Sequence, residues 1–270
     1  TLNTKNTKNT PCRWCVLHFQ ALQELLKNVN DPSINAQLVN IMMRCWKSNP
    51  MDTNTQKTHR NRNSNKSWIT DQYDQSVMCD TIQKSGGDSA VVRIHNKEKA
   101  IAISVDSSAL YCKADPKTGG KQIVAENWRN LISVGAKPLA ITNCLNFGSP
   151  EKADVMGEFI DCVNGIKEAC EFLNFPVVSG NVSFYNETNS KSIHPTPVIG
   201  GVGIINDLKR ITNIKTKENG NLILVVGKTI GHLGQSAFLY ENFAMNNGPP
   251  PEINLLNEKN NGLAVLELIK

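Results

Sequence analysis

The middle of the chain alternates between short apolar runs and longer stripes of apolar residues at helical spacing. The short runs are rich in Val and Ile and are bounded by Gly, Pro, Asn or charged residues, which is the pattern of β-strands. Two of them, separated by the polar residues 96–99, predict a β-hairpin with Asp88 and Asp106 at its ends. The predicted strands are 90–95, 100–105, 138–142, 176–178 and 195–205.

Two amphipathic helices are predicted between these strands. The first follows a glycine-bearing loop at 115–121 and ends at Gly135. The second covers about 154–173, and we expect it to pack on the sheet. Because strands and helices alternate over roughly 85–206, the pattern predicts a layered α/β or α+β domain. The apolar faces consist of Val124, Trp128, Leu131 and Ile132 in the first helix, and Met156, Phe159, Ile160, Val163, Ile166, Cys170 and Leu173 in the second.

The first 66 residues differ in composition from the rest. They are rich in Asn, Thr, Lys and Ser, and they predict a polar, basic, poorly ordered leader with short helices at 15–27 and 36–46. Residues 1–66 hold ten Lys/Arg against three Asp/Glu, or +7, and the remaining 19 against 21 give −2. A nucleic-acid role would therefore depend on the leader, which has no recognisable binding motif, so no nucleic-acid partner is predicted.

A second boundary lies in the polar, basic stretch at 208–220. The apolar run 222–227 predicts a new strand, followed by a glycine loop at 231–236, a helix over 237–243 and one more short helix. That is too little chain to close an independent core. We expect 67–207 to form one domain and 208–270 to be the beginning of a second, incomplete one.

Length and composition are those of an ordinary globular protein. The chain has 270 residues, of which 40% are hydrophobic and 20% charged. No apolar run approaches the roughly 18 residues of a membrane span, and the first residues lack the apolar segment of a secretory signal. A cytoplasmic protein without a membrane partner is expected.

Eight cysteines leave two interpretations open. Several lie inside apolar helix or strand patterns, which favours buried free thiols in a reducing compartment over disulfides. A zinc site built on Cys12, Cys15, His18 and Cys45 is the weaker alternative, because it lacks a second closely spaced pair.

Two segments carry candidate chemistry. In residues 176–187 a predicted buried strand leads into Ser-Gly-Asn, which predicts a sharp turn; Asn181 and Ser183 then lie on one side of an extended segment, and Glu187 adds a carboxylate. This set suits a phosphate-plus-metal site, although a plain Gly-Asn turn is equally compatible. In residues 119–121, Gly-Gly-Lys at a helix N-terminus could hold phosphate, or could be an ordinary loop.

Seven motifs in order and spacing resemble the C-terminal half of the synthetase component of phosphoribosylformylglycinamidine synthase. The resemblance covers about 67–270. The motifs are WITDQYD (68–74), GGDSAVV (86–92), ADP (114–116) with GGK (119–121), AENWRN (125–130), LNFG (145–148) with PEK (150–152), SGNVS (179–183) and GHLGQS (231–236).

The resemblance implies a fold like that of aminoimidazole ribonucleotide synthetase. The full enzyme of this family carries two tandem copies of an N-domain, a mixed sheet with helices, whose sheets pair into a barrel, and a C-domain after each. This chain would hold the second N-domain and the beginning of the second C-domain. Its fold class is therefore expected to be α/β (α+β).

The resemblance also implies an ATP- and Mg²⁺-dependent ligase of purine biosynthesis. ATP phosphorylates the amide oxygen of formylglycinamide ribonucleotide, and ammonia from a glutaminase subunit displaces phosphate to give the amidine. The implied partners are formylglycinamide ribonucleotide, the N-terminal half of the synthetase and the glutaminase.

Four residues correspond to family site positions. Asn143 and Gly180 would contact ATP, Asn181 would bind Mg²⁺ through its amide oxygen, and Ser183 would contact the substrate. Asn143 stands where the family usually has Asp, which removes a charge. The catalytic His and most Mg²⁺ carboxylates of the family belong to the N-terminal half. This chain alone is therefore expected to hold no catalytic residue and to be inactive.

Three alternatives remain open. Another member of the same superfamily, such as aminoimidazole ribonucleotide synthetase or thiamine-monophosphate kinase, would carry acidic phosphate-loop motifs that are not found here. A non-catalytic nucleotide-binding or scaffolding half that stabilises a partner half is the second. An eroding gene product is the third, since the leader is unusual for the family.

Overall fold

The computed structural model describes residues 78–84, 86–215 and 220–270. The predicted leader with its two helices, and the possible zinc site, lie outside these ranges. Every helix among the described residues is too short or too polar for a membrane crossing. The strands are β1 Thr81–Gln83, β2 Ala90–Arg93, β3 Ala100–Asp106, β4 Lys137–Asn146, β5 Val177–Ser183, β6 Glu187–Thr188, β7 Lys191–Ser192 and β8 Thr196–Ile205; the helices are α1 Ala109–Ala114, α2 Pro116–Ser133, α3 Ala153–Leu173, α4 Ala237–Phe243 and α5 Leu255–Ile269, with a 3₁₀ turn at Leu208–Arg210.

Six strands form one mixed sheet in the order β1-β2-β3-β8-β4-β5. The predicted hairpin is confirmed as the antiparallel pair β2–β3, and β4 and β5 run parallel because α3 connects them. The predicted mixed sheet with helices is therefore confirmed. A separate two-stranded hairpin, β6–β7, follows β5 and was not predicted.

The predicted glycine loop at 115–121 is wrong. Asp115 caps α2 by accepting a hydrogen bond from Thr118 N at 3.0 Å, and Pro116 occupies the first turn, so the helix begins before the glycines. Gly119 and Gly120 are buried inside α2. A Cβ on Gly120 would lie 2.5 Å from the carbonyl oxygen of Cys162 on α3, so these glycines permit close helix packing.

The long amphipathic helix is confirmed as α3, Ala153–Leu173. Ile166 is buried, and Phe159 and Val163 are partly buried against the core. Ile160, by contrast, is 51% exposed, so its place on the apolar stripe was wrong. The buried line of α3 faces α2, and a Cβ on Gly165 would overlap the carbonyl oxygen of Lys117. Two Lys–Glu pairs reinforce this contact, Lys117–Glu168 and Lys121–Glu168, and a third, Lys113–Glu158, joins α1 to α3.

The C-terminal helix α5 packs on the outside of the helix layer. Gly262 lies against the ring of Trp128 in α2, Arg129 forms a 2.7 Å ion pair with Glu258, and Lys259 donates to the carbonyl oxygen of Phe172 at 2.9 Å. The predicted helix over 237–243 is also confirmed.

The predicted strand at 222–227 is wrong. Within the described residues this segment pairs with no strand, and Leu222 is 89% exposed. An apolar, β-prone sequence becomes a strand only when a neighbouring strand satisfies its backbone groups. The assignment of 208–270 to the beginning of a C-domain stays a prediction.

Candidate functional site

The four predicted site residues lie on the neighbouring parallel strands β4 and β5. In the register of this pair, Asn143 stands opposite Gly180, Cys144 opposite Asn181, and Asn146 opposite Ser183. The edge of the sheet therefore brings together all four positions that the family resemblance indicated.

The local structure of this edge differs from the prediction. Residues 176–178 are not a buried strand followed by a turn; β5 runs through to Ser183 and is exposed along most of its length. Residues 143–146, predicted as the start of a polar loop, continue β4. Hydrogen bonding between the parallel strands keeps Gly180 extended, which the sequence Ser-Gly-Asn alone does not indicate.

The four residues point to two different faces of the sheet. Asn143 pairs with the fully buried Ile199 of β8, which places its side chain on the face that the helices cover. Gly180 lies beside it, and a Cβ there would overlap the side-chain oxygen of Asn143. Because side chains alternate along a strand, Asn181 and Ser183 belong to the opposite face. The predicted ATP contacts and the predicted metal and substrate contacts thus lie on opposite sides of one edge.

A groove of about 460 Å³ begins at Asn143 on the helix-covered side. Its walls are mainly apolar, with Lys167 and Glu171 at the rim. Burial raises the pKa of the Cys170 thiol in its wall to about 12, so this thiol stays protonated at neutral pH. The groove offers an apolar surface with two side-chain amides, those of Asn143 and Asn174, a suitable chemistry for a flat heterocycle. Its lining residues are Asn143, Val163, Ile166, Lys167, Cys170, Glu171, Asn174, Phe175, Pro176 and Val177.

The opposite sheet face, which we call the open face, carries apolar side chains that no described helix covers. Ile103 of β3 is 42% exposed and stands opposite Val202 of β8, which is 39% exposed. Val105, two residues on, is 67% exposed. A contiguous apolar sheet face of this kind is a candidate interaction surface. Its polar edge consists of Thr142, Cys144, Asn146, Ser179, Asn181 and Ser183.

The side chain of Asn186, three residues further on, contacts Ser183. The side-chain nitrogen of Asn186 donates to Ser183 Oγ at 3.1 Å, to the Ser183 carbonyl oxygen at 2.9 Å and to the Phe147 carbonyl oxygen at 3.0 Å. Ser183, the predicted substrate contact, is thus fixed against the turn that follows β4. No sequence pattern had indicated Asn186.

Glu187 is committed to internal contacts rather than to a metal. Its Oε1 accepts from Lys152 Nζ at 2.6 Å, Ser192 Oγ at 2.8 Å and Ser149 N at 3.1 Å. These bonds, the one from Lys152 above all, lower the pKa of the Glu187 carboxyl to about 2. The suggestion that this carboxylate completes a metal site is therefore not supported; it ties the β6–β7 hairpin to residues 149–152.

We expect Glu187→Gln to lower the melting temperature at neutral pH. Because the folded pKa lies below the ordinary value of 4.5, the stabilisation is complete above pH 4.5 and is lost as the pH falls toward 2. The difference in melting temperature between wild type and variant should therefore shrink over that window. Glu171→Gln is the control, since Glu171 is exposed and 3.9 Å from Lys167. If the difference in melting temperature between wild type and Glu187→Gln were the same at pH 7 and pH 2.5, the stabilising role of the Glu187 carboxylate would be contradicted.

The second candidate, Gly-Gly-Lys at 119–121, is not a phosphate site. Both glycines are buried in the helix, and Lys121 pairs with Glu168 at 2.5 Å. This prediction is wrong because the helix begins at Pro116, one turn before the helix N-terminus that was assumed.

A buried polar network under the sheet was also missed. Asn127 is fully buried, and its nitrogen donates to Asp106 Oδ2 at 2.8 Å, to the Ser104 carbonyl oxygen at 3.0 Å and to the Ile199 carbonyl oxygen at 3.2 Å. Asn130 donates to the other oxygen of Asp106 at 2.8 Å. The network joins α2 to β3 and to the strand beside Asn143. Asn127 and Asn130, both in the motif AENWRN, were the sequence feature that could have indicated this network.

Comparisons with known proteins decide the family of the central domain. Residues 86–205 match the family described as "AIR synthase related protein, N-terminal domain". Phosphoribosylformylglycinamidine synthase subunit PurL of Pelagibacter ubique is 63% identical over 204 residues, which are 76% of this chain and 28% of that protein. Its counterpart from Azorhizobium caulinodans is 54% identical over 205 residues, with the same shares.

Residues 86–205 form an AIR synthase-related N-terminal domain. The resemblance to phosphoribosylformylglycinamidine synthase is thereby confirmed. Among solved structures, PurLQS from Thermotoga maritima is similar with a TM-score of 0.51 and 37% identity, over 57% of this chain and 25% of that chain. The chain spans little more than a quarter of the length of the PurL relatives that it matches.

The AIR synthase-related domain supplies few ligands for a magnesium ion. Across the described ranges, no three His, Cys, Asp or Glu side chains gather closely enough to hold a metal. The neighbours of Asn181 on the open face, Cys144 and the polar edge, include no carboxylate. A Mg²⁺ ion at this edge would need further ligands from outside these residues, and the role of Asn181 as a ligand through its neutral amide oxygen stays a prediction.

Proposed function

We propose that the chain is part of an ATP-dependent synthetase that converts formylglycinamide ribonucleotide, with ammonia from glutamine, to formylglycinamidine ribonucleotide in de novo purine biosynthesis. The observation that supports this most is the juxtaposition of Asn143 and Gly180 with Asn181 and Ser183 on one exposed sheet edge. The PurL relatives support the reaction class.

The two faces of the edge divide the proposed roles. The apolar groove at Asn143 takes the adenosine of ATP, and Gly180 allows the backbone to approach it because no Cβ intervenes. On the open face, Ser183 contacts the substrate and Asn181 offers an oxygen to Mg²⁺. The ion, when bound, would neutralise charge on the ATP phosphates, and the residues of this chain would orient the ligands on either side.

The open face supports the proposal that this chain acts together with a partner half. Covering an apolar sheet face with another layer is favourable because it removes apolar surface from water. A second N-domain presenting the same kind of sheet is the proposed cover, and it would bring the catalytic His and the metal carboxylates to the polar edge. The glutaminase that supplies ammonia is the further proposed partner, and a cytoplasmic location remains a prediction.

A non-catalytic nucleotide-binding or scaffolding half is the second candidate. The shortage of acidic ligands around Asn181 among the described residues is consistent with this role for the chain on its own. Both candidates give the same open face and the same groove, but only the first requires Asn181 and Ser183 for turnover.

Kinetics of the completed synthetase separate the two. In a protein joined to an N-terminal half and assayed with a glutaminase, Asn181→Ala should lower activity and raise the magnesium requirement. Ser183→Ala should mainly raise the KM for formylglycinamide ribonucleotide, by roughly 2- to 13-fold, because one neutral hydrogen bond contributes about 0.5–1.5 kcal/mol. The measurement is steady-state rate against magnesium and against substrate.

Asn164→Ala is the matched control, since Asn164 is exposed on α3. It should leave both dependences unchanged. Unchanged kinetics in Asn181→Ala and Ser183→Ala together would favour the scaffolding role over the catalytic one.

A further inference from the structure

Asn186 lies three residues after Ser183 and turns back toward it. Its side-chain nitrogen faces two carbonyl oxygens, those of Ser183 at 2.9 Å and Phe147 at 3.0 Å. Carbonyl oxygens only accept hydrogen bonds, so the group that faces them must be the NH₂ and not the oxygen of the amide. The orientation of the Asn186 side chain is therefore fixed by its surroundings.

This orientation determines how Ser183 can bond. The same NH₂ donates to Ser183 Oγ at 3.1 Å, whereas the Asn186 amide oxygen lies 3.4 Å from that hydroxyl, at the long limit of a hydrogen bond. A hydroxyl that accepts from a neighbouring donor keeps its own proton for another partner. With only a long internal acceptor, the Ser183 proton is available to a ligand at the open face.

The backbone around Asn186 holds this arrangement in place. The Asn186 N–H donates to the Phe147 carbonyl oxygen at 3.1 Å, and Phe147 N–H donates to the Ser183 carbonyl oxygen at 3.0 Å. Tyr185, which lies between Ser183 and Asn186 in the sequence, has φ +59°, a left-handed conformation that turns the chain back. Its N–H donates to the Gly148 carbonyl oxygen at 3.0 Å. The end of β5 and the residues after β4 form one bonded unit.

We propose that Asn186 is a positioning residue that makes Ser183 a hydrogen-bond donor to an oxygen of the substrate. The inference rests on the proposed function, which gives Ser183 its substrate, and it adds the direction of the bond and the side chain that sets it. The ligand group is an acceptor oxygen, either of a phosphate or of an amide carbonyl.

The test compares single and double variants of the completed synthetase. Asn186→Asp replaces the donor by an acceptor, which should draw the Ser183 proton inward and raise the substrate KM at least as much as Ser183→Ala, with the KM for ATP unchanged. Asn186→Ala should also raise the substrate KM. The double variant Ser183→Ala/Asn186→Ala should show the KM of Ser183→Ala alone, within twofold, because both changes act through one hydroxyl.

If the fold-increases in substrate KM of the two single variants multiplied in the double variant, Asn186 would act independently of Ser183. That result would overturn the proposal. Asn164→Ala is again the control. Melting curves of each variant identify any that fail to fold, and a second measurement covers that case.

The second measurement uses the 270-residue chain itself and needs no activity. The side-chain NH₂ resonances of Asn186 in an NMR spectrum should shift on Ser183→Ala, and their exchange with water should quicken. Unmoved resonances would overturn the positioning role directly. A shift together with an unchanged substrate KM in Ser183→Ala would instead overturn the substrate role of Ser183, and with it the donor role proposed here.

Discussion

Gly165→Ala is expected to destabilise the domain strongly. The added Cβ would overlap the Lys117 carbonyl oxygen, and both atoms belong to helix backbones that cannot rotate away. The two helices α2 and α3 must therefore separate, which also loosens the contact of Gly120 with Cys162. Overpacking of a close-packed core typically costs about 1–3 kcal/mol, and this position should lie at the upper end. Chemical denaturation of the chain measures the loss.

The same helix provides the control. Gly157 has nothing within 4 Å of a built Cβ, so Gly157→Ala meets no obstacle. Replacing Gly by Ala in a helix interior should stabilise the chain by roughly 0.5–1 kcal/mol. Opposite signs at the two positions are the expected result, and a stabilising effect of Gly165→Ala would contradict the described packing of α2 on α3.

Ile103→Lys on the open face is expected to have little effect on the chain alone and a large effect on the completed synthetase. Ile103 is already 42% exposed, so a lysine there keeps its charge in water while no partner is present. Once a second sheet covers the face, that charge would be buried without a partner, at a cost of several kcal/mol. Sedimentation or gel filtration of the two halves mixed together measures the loss of association.

Ile160→Lys provides the comparison. Ile160 is 51% exposed on α3, on the other side of the sheet, and a charge there should leave association unaffected. Equal binding of the Ile103 and Ile160 variants to the partner half would show that the open face is not the contact surface.

The sequence predicted the strands and the long helix well because their periodicity is strong. It failed where a local pattern has two solutions. Gly119 and Gly120 suggest a loop, and only their approach to α1 and α3 shows why glycines stand inside a helix. Likewise, the valines at 177 and 178 suggest burial, yet β5 lies at the edge of the sheet, a position that depends on strand order.

The geometry of the candidate site could not be predicted from the sequence, and the roles of its residues stay predictions. The family resemblance indicated Asn143, Gly180, Asn181 and Ser183, and the parallel pairing of β4 with β5 brings them together. Their division between two faces follows from strand alternation, which became visible only when the turn predicted at Gly180 proved to be extended. Asn186 acts through contacts with carbonyl oxygens, which leave no trace in a sequence pattern.

The comparison of the lone chain with the completed synthetase tests the central claim most directly. ATP hydrolysis and amidine formation are measured for the 270-residue chain, for an N-terminal half, and for both together with a glutaminase, formylglycinamide ribonucleotide and Mg²⁺. We predict no measurable turnover by either half and amidine formation only by the combination. Robust turnover by the lone chain, or a combination as inactive as its parts, would contradict the proposal that this edge is one half of a shared active site.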